Sequence, residues 1–184
     1  ETLQRTANRG SVSTGYDVAN SVKLQTSGVN SEFFNYTISS AGSRTTGTVS
    51  MWIKRTTLGV LQYLWEQGDT DNDNGRLFAR FGTDDTLRVA GGSTVFLNTN
   101  RVFRDTSAWY HIVVAIDTTS GTADNRARIY VNGVEETSWA TDNEYSQNEA
   151  SLFNSALANH IGASASSRFS NCYFSEFVFI DGQA

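Results

Sequence analysis

Asp69, Asp71 and Asp73 alternate within the run Gly68-Asp69-Thr70-Asp71-Asn72-Asp73-Asn74-Gly75, and alternating oxygen donors of this kind suit a hard cation such as calcium. The three carboxylates are therefore candidate metal ligands. An EF-hand is ruled out. Counted from Asp69, the glycine falls one position late, the twelfth position is Arg80 instead of Glu, and no helical pattern flanks the run. Asp, Asn and Gly are also what a tight polar turn demands, so the plainer reading is a solvated hairpin loop between strands over 61–67 and 76–81. Calcium is the alternative, and no other cofactor is expected.

Residues 139–148 hold a second kind of chemistry. Trp139, Asp142, Asn143, Tyr145, Gln147 and Asn148 lie outside any strong strand pattern. An aromatic ring can cover the C–H face of a sugar while amides and carboxylates at a loop rim bond its hydroxyls. These six residues are candidate ligand contacts; the competing reading is a surface loop with one aromatic anchoring it to the body. His111 and His160 read as packed or hydrogen-bonded strand residues, with a catalytic base as the lesser alternative.

Strands must position all of these groups. In Trp109-Tyr110-His111-Ile112-Val113-Val114-Ala115-Ile116, the two-residue period sends Tyr110, Ile112, Val114 and Ile116 to one face and Trp109, His111, Val113 and Ala115 to the other. Both sets are largely apolar, which predicts a central strand buried on both sides. Asn132-Gly133, between Val131 and Val134, is a strong two-residue hairpin signal. Further strands are expected over 22–25, 48–55, 61–67, 76–81, 86–90, 94–97, 109–117, 127–132, 134–139, 159–163 and 171–180, a spacing that suits a sandwich. Trp52, Trp65, Phe78, Phe81, Trp109, Phe174, Phe177 and Phe179 would supply most of its core. The segment 149–160 has Leu152, Phe153, Ala156 and Leu157 at helical spacing, but Asn and Ser interrupt it, and one turn at most is expected.

Four motifs in order, Trp-Tyr-His-Ile-Val-Val (109–114), Ile-Tyr-Val-Asn-Gly (129–133), His-Ile-Gly (160–162) and Phe-Ile-Asp-Gly-Gln-Ala (179–184), resemble a laminin-G-like module of the concanavalin A-like superfamily. Ser40-Ala41-Gly42-Ser43-Arg44-Thr45-Thr46, Val49-Ser50-Met51-Trp52-Ile53-Lys54-Arg55 and Val102-Phe103-Arg104-Asp105-Thr106-Ser107-Ala108-Trp109-Tyr110 resemble the version found in virion structural proteins of marine tailed phages. The resemblance implies an all-β, concanavalin A-like jelly-roll sandwich of two antiparallel sheets over 19–184. Residues 1–18, with Thr, Ser, Asn and Gly and only scattered apolar groups, read as a linker or N-terminal arm. The resemblance also implies a location on the virion, with other virion proteins as partners. Some relatives hold calcium at a sandwich rim. Two positions depart from the family pattern: Glu136 stands where an apolar residue is usual, and Cys172 where glycine is common.

The bulk numbers are compatible with that picture. A chain of 184 residues suits one domain able to bury about 70% of its unfolded surface. A net charge of −5 with 14 scattered Lys and Arg residues argues against nucleic acid. No apolar run approaches the ~18 residues that would span hydrocarbon, so membrane insertion is not expected. A lone Cys172 forms no intrachain disulfide and reads as a small core residue.

Hydrolysis with retention needs two carboxylates about 5.5 Å apart, and the Glu-x-Asp-x-x-Glu strand motif that supplies them in retaining glucanases of the superfamily is missing here. Neither histidine has the Gln-x-His setting of jelly-roll lyases, and no Gly-x-Ser-x-Gly elbow supports an acyl enzyme. The expectation is a non-catalytic adhesion or decoration module that binds glycan or a host surface. A scaffold holding virion subunits together is the second reading, and a polysaccharide-degrading enzyme the third; homo-oligomerisation is open.

Overall fold

The computed structural model describes residues 18–27, 30–68, 76–91, 94–164 and 168–184. Polar turns cut this chain into short extended runs. The first are β1 (Val22–Leu24), β2 (Thr26–Ser27), β3 (Asn30–Ser31), β4 (Phe34–Thr37), β5 (Thr46–Arg55) and β6 (Gln62–Gln67). Then come β7 (Leu77–Phe81), β8 (Thr86–Gly91), β9 (Thr94–Val102), β10 (Tyr110–Asp117), β11 (Ala127–Val131) and β12 (Val134–Glu135). The last are β13 (Trp139–Asp142), β14 (Ala158–Ile161), β15 (Ala163–Ser164), β16 (Arg168–Phe169) and β17 (Cys172–Asp181). Among the described residues the only helix is one 3-10 turn, Ala123–Asn125, and no helix is long and apolar enough to cross a membrane.

Two antiparallel sheets carry the fold. One runs β1-β17-β5-β10-β11-β12, the other β13-β9-β8-β7-β6-β14-β4. Period-2 alternation puts Val49, Met51, Ile53, Ile112, Val114, Ile116, Ile129 and Val131 on the inner face of the first sheet. Trp65, Leu77, Ala79, Phe81, Leu87, Val89 and Leu97 face them from the second. The expected all-β sandwich is therefore present. Asn132 and Gly133 both have positive φ, 53° and 79°, as a type I′ hairpin between Val131 and Val134 requires.

Several expectations need correction. Trp109 is only half-buried, meeting Tyr173 edge-on outside the sandwich, because it precedes β10 on the parity opposite to Ile112. On that parity His111 and Val113 are half-buried too and Ala115 is buried, so this face of β10 is only partly covered. Trp52 and Phe78 are buried, but on the outer faces. Trp52 stacks on His111 at 4.8 Å, and Phe78 forms a separate cluster with Tyr63 and Ala90. Phe177 and Phe179 are half-buried against the core. The run expected over 134–139 splits: β12 ends at Glu135 in the first sheet and β13 starts at Trp139 in the second.

Residues 149–157 form turns instead of a helix. Ser151 Oγ accepts the Phe153 amide, Gln67 Oε1 accepts the Asn154 amide, and Asn154 itself has φ 52°. This irregular connection drops Phe153 into the core, where its ring stacks on Phe179 at 4.5 Å. Gly47 lies against that ring, and a Cβ there would collide with it.

Candidate functional site

Sequence alternation along β7 divides its side chains cleanly. Leu77, Ala79 and Phe81 enter the core, so Phe78 and Arg80 point out of the sandwich, with Arg76 just before the strand on the same parity. Strand register then builds a row across the outer face: Asn98 on β9 pairs with Arg88 on β8, Arg88 with Arg80 on β7, and Arg80 with Tyr63 on β6. At the usual strand spacing this row spans ~14 Å. A β-bulge between Tyr63 and Trp65 lets Tyr63 face outward while Trp65 still faces in.

The hairpin β15–β16 stands against β6. Gly162 donates its amide to Leu64 O, Ser170 Oγ bonds Tyr63 O, and Arg76 Nη1 donates to Ser164 Oγ at 3.0 Å. The hairpin brings Arg168 to the row, and its Nη1 donates to Tyr63 Oη at 3.2 Å. Arg80 Nη1 donates to the same oxygen at 2.5 Å. The half-buried ring of Phe33 lies 5.9 Å from both His160 and Phe169, the residue after Arg168. The outer face thus combines aromatic rings with a line of hydrogen-bond donors.

Its charges are unevenly matched. Glu66 Oε2 faces Arg76 at 3.4 Å, in a buried pair. Asp84 Oδ2 meets Arg88 at 2.5 Å. Burial works against ionisation of Asp84, but hydrogen bonds from Thr86 and the charge of Arg88 outweigh it and hold the carboxyl below its usual range. Among the described residues no carboxylate pairs with Arg80 or Arg168, and Arg80 Nε is buried without an acceptor.

The ligand contacts read from residues 139–148 do not converge. Trp139 and Asp142 belong to β13, an edge strand, and border a cavity of about 160 Å³ together with Asp124, Arg128, Glu136 and Glu144. Burial, then the neighbouring Asp142, raises the Glu144 carboxyl to about 7. Tyr145 is a core residue, its ring stacked on Phe96 at 4.4 Å, so it presents no platform to a ligand. Burial pushes its phenol well above the ordinary value. Asn143 donates its amide to Phe96 O. Gln147 and Asn148 sit on a separate exposed turn, tied to Thr119 O and Thr118 O.

Asp69, Asp71 and Asp73 lie outside the described residues. Among the described residues no three His, Cys, Asp or Glu side chains form a metal-binding group. His111 bonds Ser50 at 2.9 Å, and burial, opposed by Glu176, lowers its pKa. Both histidines are thus packed strand residues. Cys172 is fully buried, and burial raises its thiol to about 12.

The two-sheet antiparallel sandwich is that of a concanavalin A-like jelly roll. The family model of the concanavalin A-like lectin/glucanases superfamily matches residues 34–182, and the chain belongs to that superfamily. No curated protein matches it in sequence. Among solved structures, a heptameric SAP-like pentraxin from Limulus polyphemus is 13% identical with a TM-score of 0.61, over 90% of this chain and 77% of that one. Domain 4 of the extracellular arabinanase AbnA from Geobacillus stearothermophilus, in complex with arabinotriose, is 14% identical with a TM-score of 0.60, over 92% and 79%. Domains LG4-5 of the mouse laminin α1 chain are 12% identical with a TM-score of 0.58, over 92% and 45%. At these identities the likeness is one of fold.

Arg80, Arg88, Arg168, Tyr63, Phe33 and Phe169 were not candidates on sequence grounds. The signal for part of the set was there: Arg76, Phe78 and Arg80 alternate against Leu77, Ala79 and Phe81. What joins Arg168 and Phe33 to them is long-range pairing, which no local pattern carries.

Proposed function

We propose that this chain is a non-catalytic carbohydrate-binding module, and that glycan lies on the outer face of the seven-stranded sheet. The observation that carries this reading is the convergence of Arg80 and Arg168 on Tyr63 at the outer face, with Phe169, the residue after Arg168, paired to the ring of Phe33. The neighbouring arabinanase domain binds arabinotriose, which supports a sugar as the ligand class. The carboxylates at this face, Glu66 and Asp84, are each engaged with an arginine, which supports binding without hydrolysis. The test is a glycan array probed with a multimerised form of the chain and its Phe169→Ala variant. Retention that the variant loses is expected; no retention on any glycan overturns the reading. Release of reducing sugar from laminarin or alginate would overturn its non-catalytic part.

The resemblance of residues 40–55 and 102–110 to tailed-phage modules supports a place on the virion surface, among other virion proteins. There many weak sites act together, since a single millimolar contact corresponds to only about 4 kcal/mol. Immunogold labelling of intact particles tests that setting. A scaffold role is the second reading, supported by edge strand β4, where Phe34 and Tyr36 are 50% and 68% exposed next to a groove of about 440 Å³ that reaches β1. Association that Tyr36→Asp abolishes, seen by light scattering, would favour it.

A further inference from the structure

We propose that the outer-face site selects polysaccharides bearing anionic groups, carboxylate or sulfate, and that Arg80 and Arg168 form the anion subsite. This rests on the carbohydrate-binding reading of the same face. Two guanidiniums from different strands converge on one neutral atom, Tyr63 Oη, at 2.5 and 3.2 Å. Each keeps further N–H groups, since a guanidinium has five. Arg88, directly opposite Arg80 in the register, adds a third positive charge that Asp84 offsets. Like charges across a strand pair are unfavourable unless something of opposite sign lies between or over them. For Arg88 that is Asp84. For Arg80 and Arg168 no described carboxylate plays the part.

The geometry points to a ligand oxyanion as the missing partner. Guanidiniums bind carboxylate and sulfate through paired N–H donors, and a phenol oxygen held by both side chains fixes their orientation before the ligand arrives. Phe169 follows Arg168 directly and pairs with the ring of Phe33. The chain as a whole has a net charge of −5 and repels polyanions at long range. Capture of one therefore reports these side chains and not bulk charge.

The test is affinity electrophoresis of the full chain through gels containing alginate, chondroitin sulfate or neutral dextran and laminarin, with Arg168→Gln and the double variant Arg80→Gln/Arg168→Gln. Retardation is expected in one or both acidic gels, alginate reporting carboxylate alone and chondroitin sulfate reporting sulfate alongside carboxylate, so retardation in chondroitin sulfate but not in alginate marks sulfate as the group recognised. It should fall with added salt, weaken in the presence of inorganic sulfate, and drop about 10-fold or more in the double variant. The exposed Arg168→Gln change alone should reduce it without altering thermal unfolding, which keeps the test valid if the double variant is unstable. Equal retardation in neutral and acidic gels, untouched by either variant, overturns anion selection while leaving carbohydrate binding intact. Retardation in no gel, together with an empty glycan array, overturns both.

Discussion

Arg80 on β7 stands directly opposite Arg88 on β8, and Asp84 compensates only the second of them. Asp84→Asn would leave both charges without a described carboxylate on adjacent strands. About half of the Asp84 side chain is exposed, so the cost should be modest, about 1 kcal/mol at low ionic strength and less in high salt. The Asp84 carboxyl lies below its usual range, so its stabilisation is full above the ordinary carboxylate pKa and is lost as pH falls through the folded value. Urea unfolding at two salt concentrations checks the first effect, and repeating it in acid checks the second.

Two aromatic residues exchange the roles that local pattern suggests for them. Tyr145→Ala removes a buried ring stacked on Phe96 and should cost ~3–5 kcal/mol, as large-to-small core changes do, with no direct effect on glycan retention. Trp109→Ala removes a half-buried ring outside the core and should cost only about 1–2 kcal/mol. Equilibrium unfolding of both variants checks the ordering.

Glu144 makes stability fall towards neutral pH. Its carboxyl is raised from 4.5 to about 7 in the folded chain, so folding favours the protonated form. The benefit is complete below about 4.5 and is lost as pH rises to about 7. Glu144→Gln should flatten that decline and raise stability at pH ~8 by about 1 kcal/mol, a value reduced for the screening of a half-exposed group. Melting temperature followed from pH ~4 to ~8 in both proteins is the measurement.

Calcium is expected to leave the melting temperature unchanged relative to chelator, since the Asp, Asn and Gly residues of 68–75, Asp69, Asp71 and Asp73 among them, are also those a polar turn demands. A bound ion at ~100 times its dissociation constant would add about 2.7 kcal/mol, and a shift of that size would make the three carboxylates ligands.

The strands were legible because apolar alternation and turn residues agree: Ile112, Val114 and Ile116 enter the core as their period requires, and Asn132-Gly133 turns where the dipeptide says. Face assignment was less legible. Phe78 and Phe81 look alike in sequence, yet one lies outside the sandwich and the other inside. Tyr145 looked like a loop aromatic because the hydrogen bonds and stacking that hold 143–148 to Phe96, Thr118 and Thr119 are long-range. β4 was missed because its side chains are exposed at a sheet edge and carry no core alternation. The binding face was hidden for a similar reason. Tyr63, Arg80 and Arg168 are far apart in the chain and meet only through register.

The most direct test of the outer face as the binding surface is an NMR titration of arginine- and tryptophan-labelled protein with alginate or chondroitin sulfate oligosaccharide. The guanidinium signals of Arg80 and Arg168 should move together and saturate with the ligand, while the Trp139 indole stays still. Movement confined to Trp139, or none at all under conditions where the oligosaccharide is retained, would contradict the assignment.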